Sequence, residues 1–164
     1  MKISKISLFT LALIFILSTK VSAEGSSSNW FVGSRLNIST LDDEVDSSSS
    51  IGIDVLAGYQ FGKFLKLMVG AGSTTTSQSE SAKDSDGFTS LFATVRPQWE
   101  FDSGFLVYID VGVLTSSEGD GGKIGYGLGY NAGKHEITVG YETTIIDTRD
   151  IDTSGVALQY SYHF

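Results

Sequence analysis

Charged residues occupy alternate positions in several short segments of this chain of 164 residues. Arg96 and Asp110 flank the predicted tight turn Asp102-Ser103-Gly104, and pairing residues two by two outward from that turn places them directly opposite each other. A buried arginine and carboxylate in such a position form an ion pair, or a gate where ions pass. The same polar face carries further charges, for a total of three bases and five acids: Arg35, Asp54, Lys66, Glu100, Glu136 and Glu142.

Candidate catalytic and metal-binding groups are few. The chain has two histidines and no cysteine. Ser161 and His163 share one face of the last segment, which is a weak pattern for nucleophilic chemistry, and His135 flanks a tight turn. The stretch Asp84-Ser85-Asp86-Gly87 is similar to the start of a calcium loop but lacks the spacing and the terminal Glu, so we interpret it as a turn. We expect no catalytic residue, no metal site and no cofactor.

Composition excludes several classes of protein. A hydrophobic fraction of 41% is too low for a bundle of membrane helices, and the lack of cysteine excludes a disulfide scaffold. The net charge of −8 leaves no basic surface for a phosphate backbone. We therefore expect no nucleic-acid partner.

The first residues predict export. Lys2 and Lys5 precede the apolar run 6–17, and Val21-Ser22-Ala23 offers small residues at the positions that signal peptidase recognises. A run of that length is too short to cross a hydrocarbon core of about 30 Å as a helix. We predict a signal peptide at 1–23, cleavage between Ala23 and Glu24, and one domain at 24–164.

Past residue 28, apolar residues alternate with polar or small ones, and no window shows helical spacing. The pattern predicts eight strands, and the polar face holds mostly Gly and small residues, which suits a narrow closed interior. Phe92, Leu56, Leu106 and Leu114 depart from this pattern, and Pro97 predicts a bulge that shifts the register of the fourth strand. Long connections alternate with tight turns, as in a transmembrane β-barrel: 39–50, 73–87, 115–123 and 147–154 are long, and 62–64, 102–104 and 133–134 are tight.

Aromatic residues supply an independent criterion, because a membrane interface collects them at one height. Nine of them fall beside a chain end or a tight turn and predict one ring at the periplasmic rim: Trp30, Phe61, Phe64, Trp99, Phe101, Phe105, Tyr130, Tyr162 and Phe164.

The C-terminal residues resemble a known assembly signal. Alternate aromatics at Tyr160, Tyr162 and Phe164 resemble the signal that the outer-membrane assembly machinery recognises. With its eight predicted strands, the chain resembles the small outer-membrane β-barrel family, OmpA/OmpX-like and opacity-like. The resemblance implies the outer membrane of a Gram-negative bacterium, with the lipid bilayer, lipopolysaccharide and the assembly machinery as partners. A closed barrel leaves no free strand edge, so we expect a monomer.

Three functions fit such a barrel: a structural or surface-interaction protein, a narrow pore for ions or small solutes, and a lipid-modifying enzyme. We favour the first, with the inner charges pairing one another, and keep the pore as the alternative. An enzyme acting on lipid A needs a histidine near the outer leaflet, whereas both histidines are predicted at the periplasmic end. The predicted extracellular loops carry only Lys83, Lys123 and Arg149 as bases. Their acidic residues could bind a basic surface partner or a metal ion. These acids are Asp42, Asp43, Glu44, Asp46, Glu80, Asp84, Asp86, Glu118, Asp120, Asp147, Asp150 and Asp152.

Overall fold

The computed structural model describes residues 29–42, 47–77, 87–146 and 151–164 as one closed antiparallel barrel. No described residue belongs to a helix that is long and apolar enough to span a membrane. The prediction of an all-β, eight-stranded up-and-down barrel is confirmed. Its strands are β1 (Trp30–Asp42), β2 (Ser47–Phe61), β3 (Leu65–Ser77), β4 (Gly87–Glu100), β5 (Phe105–Ser116), β6 (Gly119–Ala132), β7 (His135–Ile146) and β8 (Ile151–His163).

The barrel closes because β1 pairs with both β2 and β8. A path of paired residues that starts at Trp30 and crosses every strand in turn comes back to β1 at Thr40, ten residues further along. In an eight-stranded barrel this stagger corresponds to strands tilted by about 40° from the barrel axis. Side chains therefore alternate between the outer surface and a narrow interior.

The outer surface is apolar and the interior is charged, the reverse of a water-soluble protein. Ile53 and Val113 are 62% and 65% exposed on the outside, whereas Lys66 and Arg96 are 0% and 1% exposed inside. Large exposed apolar residues occur on all eight strands and form a continuous belt. A belt of this extent indicates contact with lipid.

The three tight turns lie where they were predicted. Each contains one glycine with positive φ: Gly62 at 61°, Gly104 at 86° and Gly133 at 77°. Only glycine adopts this left-handed backbone at no steric cost, so these positions fix the three reversals.

The prediction of a long connection at 115–123 is wrong. Strand β5 continues to Ser116 and β6 begins at Gly119, so a tight hairpin replaces the loop. β1 and β2 also pair as far as Asp42 with Ser47, further than the predicted connection 39–50 allows. Backbone hydrogen bonds extend through these Ser-, Thr- and Gly-rich segments, which side-chain hydrophobicity does not reveal.

The predicted bulge at Pro97 is also wrong. Val95 pairs with Val111 and Gln98 pairs with Tyr108, so the register of β4 against β5 is the same on both sides of the proline. Pro97 lies on the exposed outer face, where its missing N–H interrupts the ladder locally without shifting it.

The predicted aromatic ring is present at the turn end. Neighbouring members pack edge to face, with ring centroids 5.6 Å apart for Phe64 and Trp99 and 5.4 Å apart for Phe105 and Tyr130. Edge-to-face packing is a favoured aromatic geometry. The ring marks the membrane interface on the side of the tight turns.

Apolar side chains also fill part of the interior, which explains the four inward apolar residues that depart from the sequence pattern. Leu56 and Phe92 belong to an inner cluster, and a Cβ on Gly70 would lie 2.4 Å from the Phe92 ring. Gly70 therefore makes room for a ring from the neighbouring strand β4. The cluster consists of Phe31, Leu56, Met68, Phe92, Leu114 and Ile146.

Candidate functional site

Four bases and four acids of the interior form three ion-paired groups, which we name by their position between the mouth at the long-loop end and the tight turns. The outer charge cluster is Arg35, Asp54, Lys123 and Glu142, the middle pair is Arg96 and Asp110, and the turn-end pair is Lys66 and Glu136.

In the outer charge cluster, two cations share one carboxylate. Arg35 Nε donates to Asp54 Oδ2 at 2.8 Å, and its Nη1 donates to Glu142 Oε2 at 2.9 Å. Lys123 Nζ lies 2.7 Å from the other oxygen of Glu142. The Phe92 ring has Arg35 Cζ at 4.8 Å and Lys123 Nζ at 4.7 Å from its centroid. Both cations are thus held by carboxylates and by an aromatic face.

Lys123 is the interior charge that the sequence prediction missed. The sequence assigned Lys123 to an extracellular loop, because residues 115–123 were predicted to be an unpaired connection. It lies two residues before Gly125, one of the glycines of the polar face of β6, so extending the period of two by one step would have placed Lys123 inside. With Lys123 included, the inner face carries four bases and five acids, so the predicted excess of acids is smaller but remains.

The middle pair is the one that the tight turn predicted. Arg96 donates from Nε to Asp110 Oδ1 and from Nη2 to Asp110 Oδ2, each at 2.7 Å. Nη2 also donates to Gln159 Oε1 at 3.1 Å, and the guanidinium carbon lies 3.9 Å from the centre of the Tyr108 ring. This two-pronged geometry is the strongest form of the arginine–carboxylate interaction.

The turn-end pair closes the other end of the interior. Lys66 Nζ donates to Glu136 Oε2, and both side chains are fully buried. Lys66 Nζ lies 5.1 Å from the centre of the Phe31 ring, which stacks on His163 at 5.2 Å. Glu100, predicted to belong to the same set, is half-buried on the inner face near this end and accepts a hydrogen bond from Asn131 Nδ2 at 3.2 Å.

Space for water differs along the axis. A cavity of about 50 Å³ lies at the long-loop end and is bordered by Asn37, Asp54, Phe92, Lys123 and Glu142. We call it the vestibule. This volume admits a few water molecules. The next cavity, beside Arg96 and Asp110, has no room for water.

Both histidines lie at the turn end. His135 is exposed, and its Nδ1 is 2.8 Å from the Tyr160 hydroxyl. Ser161 accepts a hydrogen bond from Gln159 Nε2 at 3.0 Å. In the described part of the chain, no three His, Asp or Glu side chains come together as metal ligands.

Several predicted features lie partly or wholly outside the described residues. The cleavage site at Ala23 and Glu24 is among them, as are the loop acids at 43–46, 80–86 and 147–150. Tyr160, Tyr162 and Phe164 are described and lie on the outer face at the end of β8.

Comparison with known proteins supports the barrel architecture. A family model for the outer membrane protein beta-barrel domain matches residues 9–164. The chain belongs to this family. No curated protein matches the sequence significantly.

Solved barrels share the fold at low sequence identity. Neisserial surface protein A has a TM-score of 0.69 at 13% identity, over 85% of this chain and 100% of its own. The attachment invasion locus protein Ail of Yersinia pestis has a TM-score of 0.60 at 16% identity, over 85% of this chain and 100% of its own. A designed transmembrane β-barrel has a TM-score of 0.55 at 15% identity, over 86% of this chain and 99% of its own. This outer membrane β-barrel protein therefore resides in the outer membrane of a Gram-negative bacterium, as predicted.

Proposed function

We propose that this outer membrane β-barrel protein has a structural and surface-interaction role and that its lumen stays closed. The observation that carries the proposal is the filled interior below the vestibule, where the middle pair and the turn-end pair are buried and directly bonded. An eight-stranded barrel is just wide enough for side chains to fill, and here the filling includes charges that pair directly with one another.

The energetics favour closure. An ion crossing the barrel would have to separate Arg96 from Asp110, beside a cavity with no room for water, and then the fully buried Lys66 from Glu136. Removing one partner from a buried pair costs about 3–5 kcal/mol, because the other charge stays uncompensated. Two such steps in series make passage slow.

The charge of the long loops supports a surface role. The stretches 43–46, 78–86 and 147–150 contain eight acidic and two basic residues. A surface with that balance attracts basic partners and repels polyanions. Ail has been solved with the heparin analogue sucrose octasulfate. We expect the opposite preference for this chain.

Catalysis is not part of the proposal. A shared fold does not decide between catalysis and binding, whereas the positions of the two histidines bear on it directly. His135 and His163 lie at the turn end, about one membrane thickness from the lipid A of the outer leaflet. Hydrolysis there would have no histidine as its general base.

The second candidate is a narrow pore, favoured by the vestibule alone. The vestibule brings water to Lys123 and Glu142, so the barrier to ions spans only the lower part of the barrel.

Single-channel recording on the refolded protein distinguishes the two candidates, with the gel shift between boiled and unboiled samples as proof of folding. We expect a folded and silent barrel. Discrete steps in the parent protein that change in Arg96→Ala would establish the pore instead. A second assay compares retention on immobilised polylysine and on heparin, where binding to heparin alone would contradict the proposed basic partner.

A further inference from the structure

The outer surface changes character abruptly above the apolar belt. On six strands, the first outward residue beyond the last aliphatic side chain, toward the mouth, is Ser or Thr. On β1, for example, Thr40 follows Ile38, and on β4 Thr89 precedes Leu91. We call these residues the hydroxyl collar: Thr40, Ser49, Ser73, Thr89, Thr115 and Ser154.

Five members of the collar have exposed side chains, and Ser154 is half-buried. Because all of them follow directly on lipid-facing residues of the same strands, the collar lies at the boundary between the hydrocarbon and the polar headgroups of the outer leaflet. The surface is continuous with the membrane contact, which identifies a lipid headgroup as its occupant.

The two rims of the barrel differ in chemistry. The turn end carries the aromatic ring and the exposed Lys63 and Lys134. Among the residues described in the loop-end half, the outward charges are Asp120 and Asp152, and no Lys or Arg points outward. A headgroup at the collar therefore meets hydroxyl groups in place of the cations that bind phosphate directly.

We propose that the hydroxyl collar binds the sugar part of outer-leaflet glycolipids. Each Ser or Thr hydroxyl both donates and accepts, which matches the hydroxyl groups of a sugar ring. Hydrogen bonds at this depth compete with less water than at a free surface. The inference deepens the proposed surface role and depends on the barrel being in the outer membrane. It fails separately from the closed lumen, which conductance tests.

The test refolds the protein in phosphatidylcholine vesicles, with or without a neutral digalactosyl diglyceride that carries sugars but no phosphate. The readout is the temperature at which the folded gel band disappears. A ligand that binds only the folded state raises this temperature. We expect the glycolipid to raise it by several degrees in the parent protein.

The collar variant Thr40→Val/Thr89→Val/Thr115→Val removes three outward hydroxyls and should lose most of that rise. The matched control Thr74→Val/Thr144→Val/Thr153→Val makes the same change on the vestibule wall, at the same end of the barrel, and should keep it. Because each variant is compared with itself in two lipids, a general loss of stability does not imitate the effect.

Three results would overturn the proposal. One is no rise with the neutral glycolipid. Another is an equal rise in the collar variant and the parent. The third is a rise only with lipid A that EDTA abolishes, which would assign the contact to metal-bridged phosphates.

Discussion

At the scale of single residues, Arg96 is the side chain on which the interior depends most. Its guanidinium bonds both oxygens of Asp110, reaches Gln159 and covers Tyr108, all without room for water. Arg96→Ala leaves the Asp110 carboxylate uncompensated, and we expect a loss of about 3–5 kcal/mol in the free energy of unfolding. Urea unfolding in lipid, followed by the gel shift, measures it.

Two variants sharpen this prediction. Arg96→Ala/Asp110→Ala should lose less than the sum of the two single changes, because no charge is then left alone. Lys123→Ala should lose less than Arg96→Ala, because the vestibule admits water to Glu142. An unchanged urea midpoint for Arg96→Ala would mean that the middle pair is hydrated or absent.

Inner glycines are the other residues on which packing depends. A Cβ on Gly140 would lie 2.4 Å from the Tyr108 hydroxyl and 2.6 Å from the Tyr126 carbonyl oxygen. We expect Gly140→Ala to cost about 1–3 kcal/mol in the free energy of unfolding, as overpacking does. Gly122→Ala is the matched control, since a Cβ there meets nothing within 4 Å. Equal urea midpoints for the two variants would show that Tyr108 moves aside freely.

Alternation of side chains was sufficient to predict most of the interior. Arg96 and Asp110 follow from one turn and a period of two, and both faces of β8 follow from its aromatics. Contacts between strands on opposite sides of the barrel, such as Lys66 with Glu136, depend on the stagger of the whole barrel. The stagger is a property of all eight pairings together and is not contained in any one segment.

At the scale of elements, the strand ends were the least predictable feature. The segment 115–123 is rich in Gly and polar residues and resembles a loop, yet its backbone pairs as the β5–β6 hairpin. Strand ends are set by ladder hydrogen bonds, for which every residue except proline has a backbone N–H donor.

Trypsin digestion tests directly whether residues 115–123 form this hairpin or an unpaired loop. Lys123 is buried inside the folded barrel, so trypsin should not cut after it, whereas a loop lysine would be cut readily. Mass spectrometry of trypsin-treated vesicles detects the product, and boiled protein supplies the positive control. Cleavage after Lys123 in protein that still shows the folded gel shift would place β6 further along the chain.

At the scale of the whole molecule, the inside-out distribution of polarity makes the membrane part of the structure. The apolar belt stabilises the protein only when lipid covers it, and below the vestibule the interior charges are buried and bonded to one another. Stability should therefore depend on where a charge is placed along the axis and on which face.

The belt makes this dependence measurable with two outward substitutions on β5. Ile109 is 52% exposed at the middle of the strand, and Thr115 belongs to the hydroxyl collar near the mouth. Lysine at the membrane midplane costs about 2–4 kcal/mol, and near the interface about 0–1 kcal/mol. We expect Ile109→Lys to lower the free energy of unfolding in phospholipid vesicles by about 2–4 kcal/mol, and Thr115→Lys to leave it nearly unchanged. Equal effects would mean that the belt does not sit in hydrocarbon, because a water-facing surface tolerates lysine at both positions.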